Sequence, residues 1–143
     1  MAELKHTLMC EVISPERTLY RGEVDMVVGT AVDGEIGILP LHIPLVTLLG
    51  IGELRLKKDD EWTYIAIYGG YLEVREDRVT VLAELAELAS QIDLERAEQA
   101  KEEAQKRVVE ARKKVEAEED FYAAEEDLRQ ALTRLQVARK VRQ

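Results

Sequence analysis

The sequence predicts an all-β sandwich or barrel of short strands, followed by an α-helical hairpin or an extended two-helix arm. Three observations carry this. From Lys5 to Leu88 apolar residues recur with a period of two, interrupted by turn signals. From Asp93 to Gln143 glycine and proline vanish, Ala, Glu, Lys and Arg dominate, and apolar residues recur at steps of three and four. The change falls near Ser90, which divides the chain into a β domain, residues 1–88, and an arm, residues 89–143.

In order, Leu8, Cys10 and Val12 alternate with Thr7, Met9 and Glu11, with His6 in the same phase, and Ser14-Pro15-Glu16 turns the chain. Val24, Met26 and Val28 alternate with Asp25 and Val27. The stretch Gly34–Leu45 holds glycines at 34 and 37, prolines at 40 and 44, and His42 between the prolines. Glycine opens positive φ, proline fixes φ near about −65°, and residues preceding proline are pushed to extended conformations. The stretch reads as a rigid extended corner that buries its apolar side chains, Ile36, Ile38 and Leu39 among them, and leaves Glu35 outside. A β scaffold holds out such a loop for a partner.

Leu45–Leu49 is apolar apart from Thr47, and Gly50 and Gly52 are expected to break it. Leu54 and Leu56 alternate with Arg55 and Lys57, and Lys58-Asp59-Asp60-Glu61 is a turn. Ile65 and Ile67 are expected on one face, with Tyr64, Ala66 and Tyr68 on the other, before Gly69-Gly70 interrupts. Leu72 and Val74, then Val79 and Val81, flank a tight hairpin at Glu76-Asp77.

In the arm, Leu94, Ala97, Lys101, Ala104, Val108, Ala111 and Val115 form one seam. Phe121, Ala124, Leu128, Ala131, Leu135 and Ala138 form a second. Asp93 is a sensible N-cap. Glu116–Asp120 contains no strong breaker, so one helix of about 75 Å and a folded-back pair both remain open. The alanine-rich first seam buries little area and needs a close neighbour. Charge is blocked: residues 116–127 carry seven acids and no base, and residues 128–143 carry five bases and no acid. The bases Arg129, Arg134, Arg139, Lys140 and Arg142 suit docking to an acidic partner; helix-dipole complementarity serves only the last turn.

The net charge of −9 sits almost entirely in residues 1–92, which hold sixteen acids and eight bases. No basic face stands out there, which argues against nucleic-acid binding. No apolar run is long enough to span a bilayer, and the first ten residues lack a signal-peptide core. The single cysteine, Cys10, cannot form an internal disulfide and reads as a small core residue. His6 and His42 are isolated, Ser14 sits beside a proline turn and Ser90 at the domain junction. There is no metal-ligand spacing, phosphate loop or nucleophile constellation. These observations describe an interaction module rather than an enzyme.

The order of Ser14-Pro15-Glu16, Tyr20-Arg21-Gly22-Glu23, Asp33 through Leu45, Gly69 through Val74, Val79 through Ala83 and Ile92 through Ala97 resembles the epsilon subunit of bacterial F-type ATP synthases. The resemblance covers essentially the whole chain. It implies a ten-stranded sandwich with a helical hairpin, on the central rotor stalk at the cytoplasmic face of the plasma membrane. It implies gamma, the c-ring and the beta and alpha subunits as partners. By motif, Glu35 matches the acid that meets the c-ring loops and His42 the gamma-facing histidine. Taken alone, they read as an exposed acid and a loop histidine satisfied by nearby backbone. The family's arm inhibits ATP hydrolysis when extended, and its basic residues then face an acidic segment of beta.

No cofactor is required, but some members bind regulatory ATP in the folded hairpin. Asp93, Arg96, Ala97, Glu87 and Arg134 match that pattern. Glu103 and Gln130 depart from it, each standing where binders tend to carry arginine. A purely local role, with Asp93 capping and Arg96 pairing beside it, stays open.

Overall fold

The period-two half of the sequence forms eight strands in a computed structural model that describes residues 6–114 and 118–141. The positions Lys5, Val115, Glu116 and Arg142, named above, lie outside the described residues. The strands are β1 Leu8–Ile13, β2 Thr18–Val24, β3 Met26–Ala31, β4 Gly34–Ile38, β5 Leu45–Lys58, β6 Glu61–Arg75, β7 Arg78–Ala83 and β8 Ala86–Leu88. Their order is β2-β1-β7-β6-β5-β3-β4, with β8 paired to β6. All pairs are antiparallel except β1 with β7.

Two long strands tie the layers together. The first half of β5, Leu45–Leu49, pairs with Gly70–Val74 of β6, and its second half, Ile51–Lys58, pairs with Glu61–Tyr68. β7 adds to the Gly70–Arg75 half of β6, while β3 adds to β5 mainly through the Arg55–Lys57 end and β8 joins the Ile65–Ile67 part of β6. Gly50 and Gly52 therefore do not end a strand, and neither do Gly69 and Gly70, contrary to expectation. They are corners at which a continuous strand changes layer. Gly70, at φ 134°, is in a region closed to other residues, and a Cβ there would overlap the carbonyl oxygen of Leu82. Dividing both long strands at these corners recovers the expected ten.

One cluster fills the space between the layers. Leu8, Cys10, Val12, Leu72, Val74, Val79 and Val81 meet Val27, Ile38, Leu54, Leu56 and Ile65 there. Cys10 is a core residue as expected, and burial pushes its thiol up to about 12, with Glu11 adding to the effect. Two faces differ from the simple alternation. The run Val24–Val28 changes phase at Asp25, the bend between β2 and β3, so Val24 and Val27 are buried and Met26 is not. Asp25 accepts at Oδ2 from the Asp59 amide at 2.9 Å, and its own amide donates to the Lys57 carbonyl at 2.7 Å. Ile65, Ala66, Ile67 and Tyr68 are all buried, so that part of β6 is covered on both faces.

Turns follow their chemistry. Asp59-Asp60 and Glu76-Asp77 both have two consecutive positive φ values, the geometry that matches hairpin twist. Ser14 and Arg17 exchange backbone hydrogen bonds of 2.9 and 3.3 Å across the Pro15-Glu16 turn.

The chain divides into two compact units, Met1–Leu88 and Ala89–Gln143. The second begins with a 3-10 turn, Ala89–Gln91, and holds helices α1 Leu94–Arg112 and α2 Glu118–Lys140. These pack against each other as an antiparallel hairpin. Asp93 caps α1, its Oδ1 accepting from the Arg96 amide at 3.2 Å. The buried seam is Ala97, Ala104, Val108 and Ala111 against Ala124, Ala131, Leu135 and Ala138. Alanine recurs at seven-residue steps on both helices, which lets the backbones approach closely. Lys101, placed in the first seam by spacing, is half-buried at its edge.

Candidate functional site

The corner between β4 and β5 is the most exposed apolar part of the sandwich. Pro40 and Leu41 occupy the centre of a turn closed by the His42 amide donating to the Leu39 carbonyl at 3.2 Å. Leu41 has φ 69°, where type II turns favour glycine, and its amide donates to Asp77 Oδ1 at 2.6 Å. The carboxylate thus fixes a backbone conformation that leucine alone resists.

The corner's apolar residues do not all turn inward. Ile38 is fully buried and Ile36 packs against the core, but Leu39 is 55%, Leu41 71% and Ile43 74% exposed. The expectation of a wholly buried apolar corner is corrected, because a turn that reverses direction cannot keep consecutive side chains on one side. The exposure continues onto the sheet. Val46 is exposed on β5, and the cross-strand row Leu48–Tyr71–Leu82 stands exposed on β5, β6 and β7. A shallow apolar groove of about 410 Å³ runs between Pro44–Val46 and Glu73–Glu76.

Glu35 is the second residue of the edge strand β4, and its carboxylate is 66% exposed. Its Oε1 accepts from Arg55 Nη2 at 2.7 Å. His42 is half-buried, and its Nδ1 lies 2.7 Å from the Ile43 carbonyl oxygen. A carbonyl only accepts, so Nδ1 carries the proton and a neutral ring offers Nε2 as an acceptor. Local satisfaction and an outward contact are compatible for this histidine.

In the helical unit the nominated residues separate. Asp93 and Arg96 sit together at the start of α1, with Arg96 Nε 3.8 Å from Asp93 Oδ2 and the arginine 81% exposed. Ala97 is fully buried in the seam. Arg134 lines a hollow of about 170 Å³ with Ala100, Glu103, Arg107, Asp127, Gln130 and Ala131; Asp93, Arg96 and Ala97 do not. Arg107 went unnoticed in the sequence, although it lies one helical turn beyond Glu103 and so shares its face. It pairs with Asp127 at 2.8 Å. Two arginines and two carboxylates meet in this hollow, so its field is mixed rather than positive. Glu87, on β8 in the sandwich unit, accepts from the Tyr68 hydroxyl at 2.8 Å.

The basic end of α2 is partly engaged within the hairpin. Arg139 Nη2 lies 3.6 Å from Glu98 Oε1 of α1. Arg129 and Lys140 are exposed, and Arg134 is half-buried. Among the described residues no group of His, Cys, Asp and Glu is arranged to hold a metal ion, and no helix is long and apolar enough to cross a membrane.

Residues 7–89 match the beta-sandwich domain of the ATP synthase delta/epsilon chain, and residues 90–139 match its long alpha-helix domain. The ATP synthase epsilon chain of Halalkalibacterium halodurans is 54% identical over 102 residues, covering 71% of this chain and 77% of that one. The epsilon chain of Alkalihalophilus pseudofirmus is 52% identical over 102 residues, with the same coverage. The fold is shared with a chain in the Euglena gracilis mitochondrial ATP synthase, at TM-score 0.77 and 19% identity, covering 92% of this chain and 81% of that one. A chain of the Tetrahymena thermophila mitochondrial ATP synthase central stalk and c-ring shares it at TM-score 0.64 and 10% identity, over 96% and 99%. With its sandwich and its helices each matched in order, the chain belongs to the ATP synthase delta/epsilon chain family.

Proposed function

We propose that this chain is a non-catalytic subunit of the central stalk of an F-type ATP synthase, peripheral to the cytoplasmic face of a bacterial plasma membrane. Its sandwich grips gamma and meets the c-ring, and its arm restrains ATP hydrolysis by docking on beta and alpha. The observation that carries the reading is the corner Leu39–Ile43, where large apolar side chains stand in solvent on a backbone pinned by Asp77. Fixed exposed apolar surface is what a partner covers. His42 presents Nε2 beside it toward gamma, and Glu35 presents its carboxylate on the edge strand toward the ring.

The names of the bacterial relatives support the same assignment. The family's helical domain supports the arm, and the bases Arg129, Arg134, Arg139 and Lys140, with Arg142 beyond the described residues, give it the sign an acidic partner segment requires. Replacing Ile43 with Glu puts an unpaired charge into the covered surface and should weaken binding to gamma at least tenfold while leaving the melting of the free chain unchanged. Unaltered binding to gamma in a pull-down or titration would show that the corner is not the docking site.

A second reading, ATP sensing by the hairpin, draws on Asp93, Arg96, Ala97, Glu87 and Arg134, with Arg107 added by geometry. Glu103 and Asp127 oppose it, because carboxylates repel a triphosphate. The hollow of about 170 Å³ is also below the roughly 300–1,000 Å³ of ordinary ligand pockets. Calorimetry decides between the readings: heat at millimolar ATP that disappears in Arg134→Ala supports sensing, and no heat ends it.

A further inference from the structure

Glu35 is not held alone. Arg55 reaches it from β5, across β3, and the same guanidinium places Nε 3.7 Å from Oε1 of Glu53. The Arg55 Cζ stands 5.8 Å from the centroid of the Trp62 ring, and Lys57 Nζ lies at the same distance from that ring. Exposure rises outward through the set: the side chains are 10% exposed at Glu53, 32% at Arg55 and 66% at Glu35.

We propose that Arg55 is the positioning residue for Glu35, held by Trp62 and Glu53 so that the Glu35 carboxylate is presented at one fixed place on the edge strand. The proposal rests on the reading of Glu35 as a ring contact. A glutamate on an edge strand otherwise samples several rotamers, and ordering it at an interface is costly. Arginine suits the task because its planar fork serves two carboxylates while its face lies on an aromatic ring. One guanidinium cannot neutralise two carboxylates. The three groups together keep a net negative charge, and the more exposed end of the set, Glu35, delivers it to solvent. With one oxygen on Arg55 and the group two-thirds exposed, the carboxylate is held at one end and open at the other. The partner chemistry that fits is a ring of polar or basic loop groups that donate hydrogen bonds.

The test uses the full chain, rebound to an ATP synthase complex depleted of it, with the c-ring present and with the ring removed. The quantity read is the gain in affinity due to the ring. Glu35→Gln should lose that gain, and Arg55→Gln should lose most of it, roughly two- to fivefold. The double variant should lose no more than Glu35→Gln alone, since the residues act as a unit. Arg55→Lys keeps the charge but not the fork and should recover only part.

Affinity with the ring removed should stay constant in every variant, which excludes simple misfolding. In the free chain, the side-chain NH signals of Arg55 should be sharp in NMR spectra and broaden in Glu35→Gln and in Trp62→Leu. The proposal is overturned if Glu35→Gln loses the gain and Arg55→Gln does not, or if the two losses add in full. An unchanged gain in Glu35→Gln instead overturns the ring-contact reading beneath it, and with that the presenting role of Arg55.

Discussion

Cys10 shows at the residue scale how burial becomes a measurable property. In the unfolded chain its thiol releases a proton near 9.0, whereas in the core it retains the proton to about 12. Folding therefore favours the neutral form, and its stabilising effect is complete below pH 9 and declines between pH 9 and 12. The decline approaches about 1.4 kcal/mol per pH unit. Tyr20 is shifted upward in the same sense, by burial first and Cys10 second. Urea melts at pH 8 and pH 10.5 should show the loss, and Cys10→Ala should reduce it to the share left by tyrosine. The burial of Cys10 was legible in its sequence, because Leu8, Cys10 and Val12 share a phase. The exposure of Leu39 was not. It depends on the direction of a turn held by Asp77, thirty-six residues from Leu41.

At the scale of elements, the hairpin is built on small side chains. Each alanine methyl in the seam contributes little, since burying a methylene-sized group is worth about 0.8 kcal/mol. The cross-helix pairs Arg107–Asp127 and Arg139–Glu98 are exposed and add only modestly. A hairpin held this way opens at modest cost. Close backbone approach also leaves no room for larger groups. Ala131→Leu should destabilise the closed hairpin by about 1–3 kcal/mol, seen as faster amide exchange across 94–112 and 118–140 with β1 to β7 unaffected. Equal protection in this variant would mean that the seam is looser than its burial indicates. Under the proposed docking, Arg139 would have to leave Glu98 to meet an acidic partner, so the closed hairpin and a docked arm would compete for one guanidinium.

For the whole molecule, the division at Leu88 and Ala89 separates the sandwich, to which docking is assigned in the proposal, from the arm, to which restraint is assigned. The sandwich has its own core, drawn wholly from residues 8–86, so it should survive without the arm. A chain ending at Leu88 should still assemble with gamma and the ring, while ATP hydrolysis by the complex rises severalfold. Hydrolysis at the level of the full chain would remove the inhibitory role and leave the docking role standing.

Local periodicity determined a great deal: the strands, the two-residue hairpins, the N-cap at Asp93 and the change of grammar near Ser90. These depend on neighbours in the chain, and backbone sterics and hydrophobic spacing suffice to write them. Tertiary structure alone decided that Gly50, Gly52, Gly69 and Gly70 bend strands instead of ending them, because pairing on both sides carries the ladder through the corner. It alone decided that the arm folds back, since seams of alanine specify closeness but not which neighbour supplies it. The pairing of Arg55 with Glu35 across β3 was likewise invisible in one dimension. Charges twenty residues apart become partners only when sheet register sets them side by side.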